Sequence, residues 1–292
     1  NPKYIITAID ENYQFYLLKD QYQKPIYISF QRAFKTNPFF KSIDKMKKEN
    51  SKLRFKADYI FVLGENDKTK LSKYLEGKFH ISGNLINNKF SKIFKSKQKK
   101  IKELCFVSSL KPIRNNSVKK HWDYKLFLLF KNFCIKNKIR LIFLSKSSIF
   151  EKKYFQSLYG SKDWKYIPNK TKKHTYQKLN NSQFIVFSNT SLGHEGITKG
   201  KKGFCFIKNF PANDYHSKHI YNKVGFYWSN KMNYLEIDKN LKKILKLSQK
   251  SWANKIDFKT FKITKYDPNN YSNKIMLKKI FGDSLKKFFS IG

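Results

Sequence analysis

The chain has 292 residues, of which 40% are hydrophobic and 17% aromatic, and its formal net charge is +42 at pH 7. This apolar content excludes an intrinsically disordered chain, and the length suffices for two domains with cores of their own. No apolar run approaches the roughly 18 residues of a membrane-spanning helix, so we predict no such helix.

The positive charge has three explanations. Lysines are spread over the whole chain, Asn, Ile, Phe and Tyr are abundant, and Gly and Pro are scarce, which fits a drift in base composition. Attraction to an anionic membrane or to nucleic acid is the alternative. Because the sequence has no Arg-rich run, no zinc spacing and no RRM-type aromatic signature, nucleic acid is the least favoured partner.

The three cysteines, Cys105, Cys134 and Cys205, lie in apolar segments without a CxxC pair. This pattern predicts buried thiols in a reducing compartment. We therefore expect a cytoplasmic protein, with peripheral contact to the inner face of the cytoplasmic membrane as an addition.

Apolar runs alternate with helical segments along residues 1–92, which predicts a Rossmann-like α/β domain with a mostly parallel sheet. Residues 34–50 are predicted to be a basic loop. In order, the predicted elements are strand 4–9, helix 13–19, strand 26–30, strand 58–63, helix 66–75 and strand 79–81. With only these few elements, we expect this domain to be incomplete at its N-terminus, and the chain begins at Asn1 without Met.

A highly basic segment, residues 93–102, predicts a linker, after which the same alternation continues in a second Rossmann-like domain, residues 103–256. In the tail, residues 257–292, a basic amphipathic helix over 275–289 is predicted to pack back on the first domain. Docking of this helix on an anionic bilayer is the alternative. The predicted strands of the second domain are 104–107, 140–144, 164–167, 184–187, 204–207 and 225–228, and its helices are 122–136, 150–159, 174–179, 192–199 and 234–247.

The stretch from Phe184 to Ile207 predicts strand, tight polar loop, short helix and strand. A helix that begins just beyond a parallel strand offers free N–H groups and a partial positive charge, which suit a phosphate. Glu195 lies in the first turn of this helix, where it could bind a sugar hydroxyl. The alternative is that the polar residues only cap the helix and Glu195 only complements its dipole.

Residues 188–195, followed by Gly200 to Gly203, carry the pattern S-x-x-S-x-G-x-E…G-K. This segment and others along nearly the whole chain resemble, in order, motifs of the GT-B glycosyltransferase superfamily, in particular its bacterial capsule and lipopolysaccharide biosynthesis proteins. The strand that ends at Asp10 and the strand that ends at Gln31-Arg32 resemble the family's first strands, although the usual glycine after Gln31 is absent. Further similar segments are 57–64, 81–88, 226–228 and 247–252.

The resemblance implies a GT-B glycosyltransferase that moves a sugar from a CMP-sugar or another nucleotide sugar to a glycan or lipid-linked acceptor. The second domain would hold the nucleotide, and the first would hold the acceptor near Gln31 and Arg32. No bound cofactor or metal is implied, because a helix dipole and cations can stabilise the departing nucleotide. The residues implied to bind the nucleotide and its phosphates are Ser108, Ser109, Lys146, Ser188, Asn189, Thr190, Ser191, Leu192, Gly193 and Glu195.

Transfer to a hydroxyl needs a base that takes its proton. Asp10, at a strand exit, is the first candidate and Glu11 the second. The alternative for Asp10 is that it caps the helix that begins at Asn12-Tyr13. His194 is predicted to pack rather than to act as an acid.

Other functions remain open at this point. A polyol-phosphate transferase or a nucleotide-sugar epimerase would share the fold, and a basic nucleic-acid-binding protein is a hypothesis of another class. His216 and His219 are three residues apart, but a metal site needs a third ligand, so we predict none.

Overall fold

The structure is a computed structural model. It describes residues 2–35, 37–90, 103–109, 122–145, 149–169, 171–188, 190–206, 225–230, 232–256 and 262–282. The chain divides into two compact units, of which the first comprises Asn1–Lys92 with Phe261–Gly292, and the second comprises Ile93–Thr260.

The first unit contains a parallel four-stranded sheet whose spatial order, β1-β2-β3-β4, follows the order of the chain. Its strands are Tyr4–Thr7 (β1), Ile26–Phe30 (β2), Lys56–Val62 (β3) and Glu76–Ile81 (β4). The helices that connect or follow them are Tyr13–Gln21 (α1), Asn37–Glu49 (α2), Glu65–Leu71 (α3) and Leu85–Lys89 (α4).

The helix α2 corrects the prediction of a loop over residues 34–50. Proline is tolerated in a first helical turn, so Pro38 does not prevent the helix. Phe39, Phe40 and Ile43 follow at a spacing that places them on one face, and all three are buried in the core of the unit. The lysines of the helix, Lys41, Lys45, Lys47 and Lys48, hid this apolar face in the sequence.

The end of the chain returns to the first sheet. The main-chain N–H of Lys265 donates to the carbonyl of Leu63 over 2.8 Å. A Cβ atom on Gly83 would lie 2.0 Å from the carbonyl oxygen of Lys265, so only a glycine allows this approach. A short 3-10 helix, Pro268–Asn270, and the helix Tyr271–Phe281 (α11) follow. This helix buries Leu277 and Phe281 against β2 and β3. The predicted remainder, residues 283–289, lies outside the described residues.

The second unit contains a parallel six-stranded sheet with the order β10-β9-β8-β5-β6-β7. Its strands are Glu103–Val107 (β5), Arg140–Leu144 (β6), Trp164–Ile167 (β7), Phe184–Ser188 (β8), Lys202–Phe206 (β9) and Trp228–Ser229 (β10). Its helices are Trp122–Lys136 (α5), Ile149–Tyr159 (α6), Lys172–Asn181 (α7), Ser191–Thr198 (α8), Tyr234–Lys246 (α9) and Gln249–Ile256 (α10).

Two details of this unit differ from the sequence prediction. Residues 225–227 form a turn that leads into β10, where a strand over 225–228 was expected, since Gly225 N donates to the carbonyl of Trp228. The helix α10 was not predicted because its eight residues carry only two buried apolar side chains, Trp252 and Ile256.

Candidate functional site

The second sheet has a topological switch point between β5 and β8. The chain moves from β5 outward through β6 and β7, and then returns to place β8 on the other side of β5. In open parallel sheets, ligands bind beyond the carboxyl ends of the strands at such a reversal. The polar residues at the ends of β5 and β8 are therefore the first place to look for a site.

Serines meet at this switch point. Ser108 and Ser109 follow β5, and Ser188 ends β8. The Oγ atoms of Ser109 and Ser188 lie 2.9 Å apart, so one hydroxyl donates to the other. The structure thus brings together residues that the sequence predicted from strand exits 79 positions apart.

The helix α8 begins directly beyond β8. Thr190 is its N-cap residue and makes no side-chain hydrogen bond to the first turn. The prediction that Glu195 lies in this first turn is wrong, because the helix begins at Ser191 and its first turn contains no acidic residue. Ser191, Leu192 and Gly193, which were predicted to bind phosphate, are the first three residues of the helix. A Cβ atom on Gly193 would lie 2.2 Å from the Phe187 ring, so this glycine lets the helix pack closely on the strand.

Glu195 is buried rather than open to solvent. Its Oε2 accepts a hydrogen bond of 2.7 Å from the phenol of Tyr176 on α7. Burial, followed by the charge of Glu195, raises the pKa of Tyr176, so the phenol is a firm donor to this carboxylate. Burial also lowers the pKa of Lys199 to about 8, against the attraction of Glu195. The ring of His194 packs edge-on against Phe187, in line with the predicted packing role.

A buried glutamate that sequence reasoning missed lies beside the serines. Glu151, in the first turn of α6, is fully buried. Its Oε1 accepts from Ser108 Oγ over 2.5 Å, and its Oε2 accepts from Ser145 Oγ at the end of β6. The only sequence signal for it was an acidic residue that opens a helix just after a serine-rich strand exit.

At the carboxyl edge of the first sheet, Asp10 forms a buried ion pair with Lys35. Burial raises the pKa of Asp10, and the attraction of Lys35 offsets part of this rise. The same burial lowers the pKa of Lys35, and Asp10 offsets part of that shift. The predicted alternative of a helix cap is wrong, because the side chain of Asn12 caps α1 by accepting from Gln14 N. Sequence reasoning missed Lys35.

The other residues predicted for the first domain are arranged around this pair. Gln31 is buried, and its amide accepts from Leu63 N and donates to the carbonyl of Ala33, each over 3.0 Å. The main-chain N–H of Arg32 donates to Asp10 Oδ1 over 3.4 Å, while its side chain is exposed. Glu11 is also exposed.

Some predicted positions lie outside the described residues. These are Lys146, Asn189, His216 and His219. Among the residues that are described, no group of three or more His, Cys, Asp or Glu side chains is placed to hold a metal ion. Over the same residues, no helix is long and apolar enough to cross a membrane.

A family model with the description "putative O-antigen biosynthesis protein" matches residues 30–281, which is most of the chain. No curated protein matches the sequence. Solved structures match at low identity. The UDP-GlcNAc 2-epimerase of Neisseria meningitidis, bound to UDP-GlcNAc, has a TM-score of 0.58 at 12% identity, and the match covers 97% of this chain and 76% of that one.

Two further matches come from Staphylococcus aureus. The MnaA–UDP structure has a TM-score of 0.54 at 13% identity, covering 96% of this chain and 74% of that one. A TarM variant in complex with fondaparinux, α-GlcNAc-glycerol and UDP has a TM-score of 0.50 at 14% identity, covering 89% of this chain and 52% of that one. These similarities show the fold, and the predicted α/β fold of GT-B type is confirmed.

Proposed function

The chain belongs to this family of O-antigen biosynthesis proteins, and we propose that it is a glycosyltransferase that uses a nucleotide sugar. The observation that carries the proposal is the switch point of the second sheet, where the Ser109–Ser188 hydroxyl pair and the start of α8 occur together. Hydroxyl donors, main-chain N–H groups and a helix dipole at one strand edge suit the phosphates of a nucleotide.

The transfer itself needs a base for the acceptor hydroxyl, and we assign this role to Asp10. Its ion pair with Lys35 favours the carboxylate, which is the form that accepts a proton, while burial raises its pKa above that of an ordinary aspartate. Arg32 and Gln31 stand beside it on the acceptor side. The leaving nucleotide would be stabilised by the α8 dipole and by Lys146, without a bound metal.

The test is the thermal midpoint of the purified protein with CMP, CDP, UDP, GDP and ADP at one salt concentration. Fixed salt matters because a surface with a net charge of +42 binds any polyanion. A ligand at about 100 times its dissociation constant adds roughly 2.7 kcal/mol of stability. We expect one nucleotide to act alone, and Ser191→Ala to weaken it. Equal small shifts with all five would contradict the proposal.

An epimerase is the second candidate, because an epimerase of known structure aligns with 97% of this chain and over 76% of its own length. Epimerisation breaks and re-forms the C2–H bond of the sugar. In D₂O it therefore introduces deuterium at C2, even when no acceptor molecule is present. We expect UDP-GlcNAc incubated with the protein in D₂O to remain unlabelled. Deuterium at C2 would replace the transferase by the epimerase.

We also propose that α11 touches an anionic membrane on its cytoplasmic side. Tyr271 and Ile275 are 70% and 45% exposed, and Lys274 and Lys278 lie on the same outer face. We expect Ile275→Glu to reduce sedimentation with phosphatidylglycerol vesicles. The matched control is Leu235→Glu on α9, whose side chain is 75% exposed. Equal losses of sedimentation for the two variants, or equal sedimentation of the wild type with neutral vesicles, would contradict binding of α11 to an anionic membrane.

A further inference from the structure

Glu151 ties together the exits of two neighbouring strands. Its carboxylate receives the hydroxyl of Ser108 beyond β5 and the hydroxyl of Ser145 beyond β6. The main chain at both serines continues the sheet, because Ser108 N donates to Leu144 O and Ser145 N donates to Ile167 O, each over 3.0 Å. The residues that follow β5 and β6 are therefore held in place twice, by main-chain hydrogen bonds of the sheet and by side-chain hydrogen bonds to the carboxylate of Glu151.

The direction of the hydroxyl protons follows from this geometry. An ionised carboxylate only accepts hydrogen bonds, and each serine has a single proton. Ser108 and Ser145 thus direct their protons to Glu151, and neither proton remains for a phosphate. Ser109 and Ser188 differ, because a pair of hydroxyls has two protons and uses one between its members.

The carboxylate of Glu151 could affect nucleotide binding in two opposite ways. A buried carboxylate close to a phosphate site repels the phosphate, so its removal would strengthen binding if charge were its main effect. If the carboxylate instead fixes the strand exits, its removal loosens the donors of the site and weakens binding. The direction of the change in affinity therefore distinguishes the two.

We propose that Glu151 is a positioning residue for the nucleotide site. It orients the side chains of Ser108 and Ser145, and through Ser108 it fixes the position of the next residue, Ser109. This inference rests on the proposed function. It changes the role implied for Ser108, which becomes a support of the site rather than a phosphate donor. Ser109 and Ser188 supply the hydroxyl that contacts the phosphate.

The experiment compares Glu151→Gln with the matched variant Glu236→Gln. Glu236 accepts a hydrogen bond of 3.1 Å from Ser229, so it forms the same kind of pair at the edge strand β10. The probes are UDP, CDP and GDP, titrated calorimetrically at fixed salt. We expect Glu151→Gln to bind the nucleotide that the wild type binds about 10-fold more weakly, a loss of about 1.4 kcal/mol. We expect Glu236→Gln to bind as the wild type does.

Ser145→Ala keeps the inference testable if Glu151→Gln does not fold. It removes one of the two hydroxyls from the carboxylate and is expected to weaken binding about 3-fold. If the wild type binds a nucleotide and these variants bind it equally well or more tightly, the role of Glu151 is overturned while the proposed function stands. Failure of the wild type to bind any of the three nucleotides overturns the proposed function, and the role of Glu151 falls with it.

Discussion

The carboxyl edges of the two sheets use different chemistry. In the first sheet, Asp10 and Lys35 form a buried ion pair, and the amide of Gln31 bridges two further main-chain segments. In the second sheet, hydroxyls gather at the edge, and the acidic residues behind them, Glu151 and Glu195, accept hydrogen bonds from the hydroxyls of Ser108 and Tyr176. The first edge is a charged dyad, whereas the second is a set of neutral donors.

The strand order explains part of this difference. The first sheet runs in chain order among its described strands, so its edge has no reversal there, and charged side chains can pair across neighbouring exits. The second sheet reverses between β5 and β8, and in such sheets ligands bind beyond the strand ends at the reversal. This difference is consistent with the proposed function, in which Asp10 takes the proton and the second edge binds the phosphates.

The largest expected effect is the loss of one partner of the Asp10–Lys35 pair. Removal of one member of a buried ion pair typically costs 3–5 kcal/mol, because the other charge is left buried without compensation, while replacement of both costs much less. We expect Asp10→Asn and Lys35→Met each to be strongly destabilising, and the double variant to recover most of the loss. Urea unfolding of the four proteins measures this coupling.

The matched control for this cycle is the exposed pair of Asp20 and Lys56 in the same unit, 2.9 Å apart. An exposed pair is typically worth 0–1 kcal/mol, so Lys56→Met should change stability little. If the Asp10–Lys35 and Asp20–Lys56 pairs had the same coupling free energy, the buried pair at the first sheet edge would contribute no more to stability than an exposed surface pair. A double variant that folds but transfers no sugar would sharpen the assignment of Asp10 as the base.

A second prediction contrasts Lys35 with Lys201 of the second unit. The Nζ atom of Lys201 donates to the main-chain carbonyls of Asn180 and Ser182. Burial lowers the pKa of Lys201 to about 7 from its usual 10.5. The unfolded chain then binds more protons than the folded one between these values, so stability rises with pH in that window, by at most about 1.4 kcal/mol per pH unit.

We expect the stability difference between the wild type and Lys201→Met to grow in favour of the wild type by about 2 kcal/mol from pH 7.5 to 9.5. Lost hydrogen bonds in the variant shift this difference by a constant and leave its pH slope unchanged. Lys165→Met, at an exposed lysine of the same unit, is the control. Urea unfolding at the two pH values is the measurement, and a pH-independent difference would contradict the burial effect.

The sequence predicted those parts of both edges that follow from local pattern. Strand exits were found because apolar runs end at small polar residues, and the start of α8 was found for the same reason. The partners Lys35, Glu151 and Tyr176 were missed because a partner is chosen in space. Glu151 lies 43 positions from Ser108, and no periodicity connects the two. The burial of Glu195 was missed for the same reason, since Tyr176 belongs to another helix.

A third prediction concerns the close packing that places α8 beyond β8. Gly193→Ala would put a Cβ atom 2.2 Å from the Phe187 ring, so the helix must move away from the strand. Overpacking of this kind typically costs 1–3 kcal/mol. We expect this loss in thermal stability together with weaker nucleotide binding. Gly160→Ala is the control, because no atom lies within 4 Å of the added Cβ and only its positive φ of 64° is strained. If the Gly193→Ala variant is destabilised but keeps its full nucleotide affinity, the position of α8 does not contribute to nucleotide binding.

The smallest expected effect tests the shared proton of Ser109 and Ser188. Either hydroxyl is a possible donor at this strand edge, so removal of one leaves the other at the same place beside the ligand. We expect Ser109→Ala and Ser188→Ala each to weaken nucleotide binding less than 3-fold, and the double variant to weaken it by more than the product of the two. Residues in contact couple by about 0.5–3 kcal/mol, which titration calorimetry resolves. Independent effects of the two substitutions would mean that each hydroxyl meets the ligand by itself, and the neutral edge would then consist of separate donors rather than a pair.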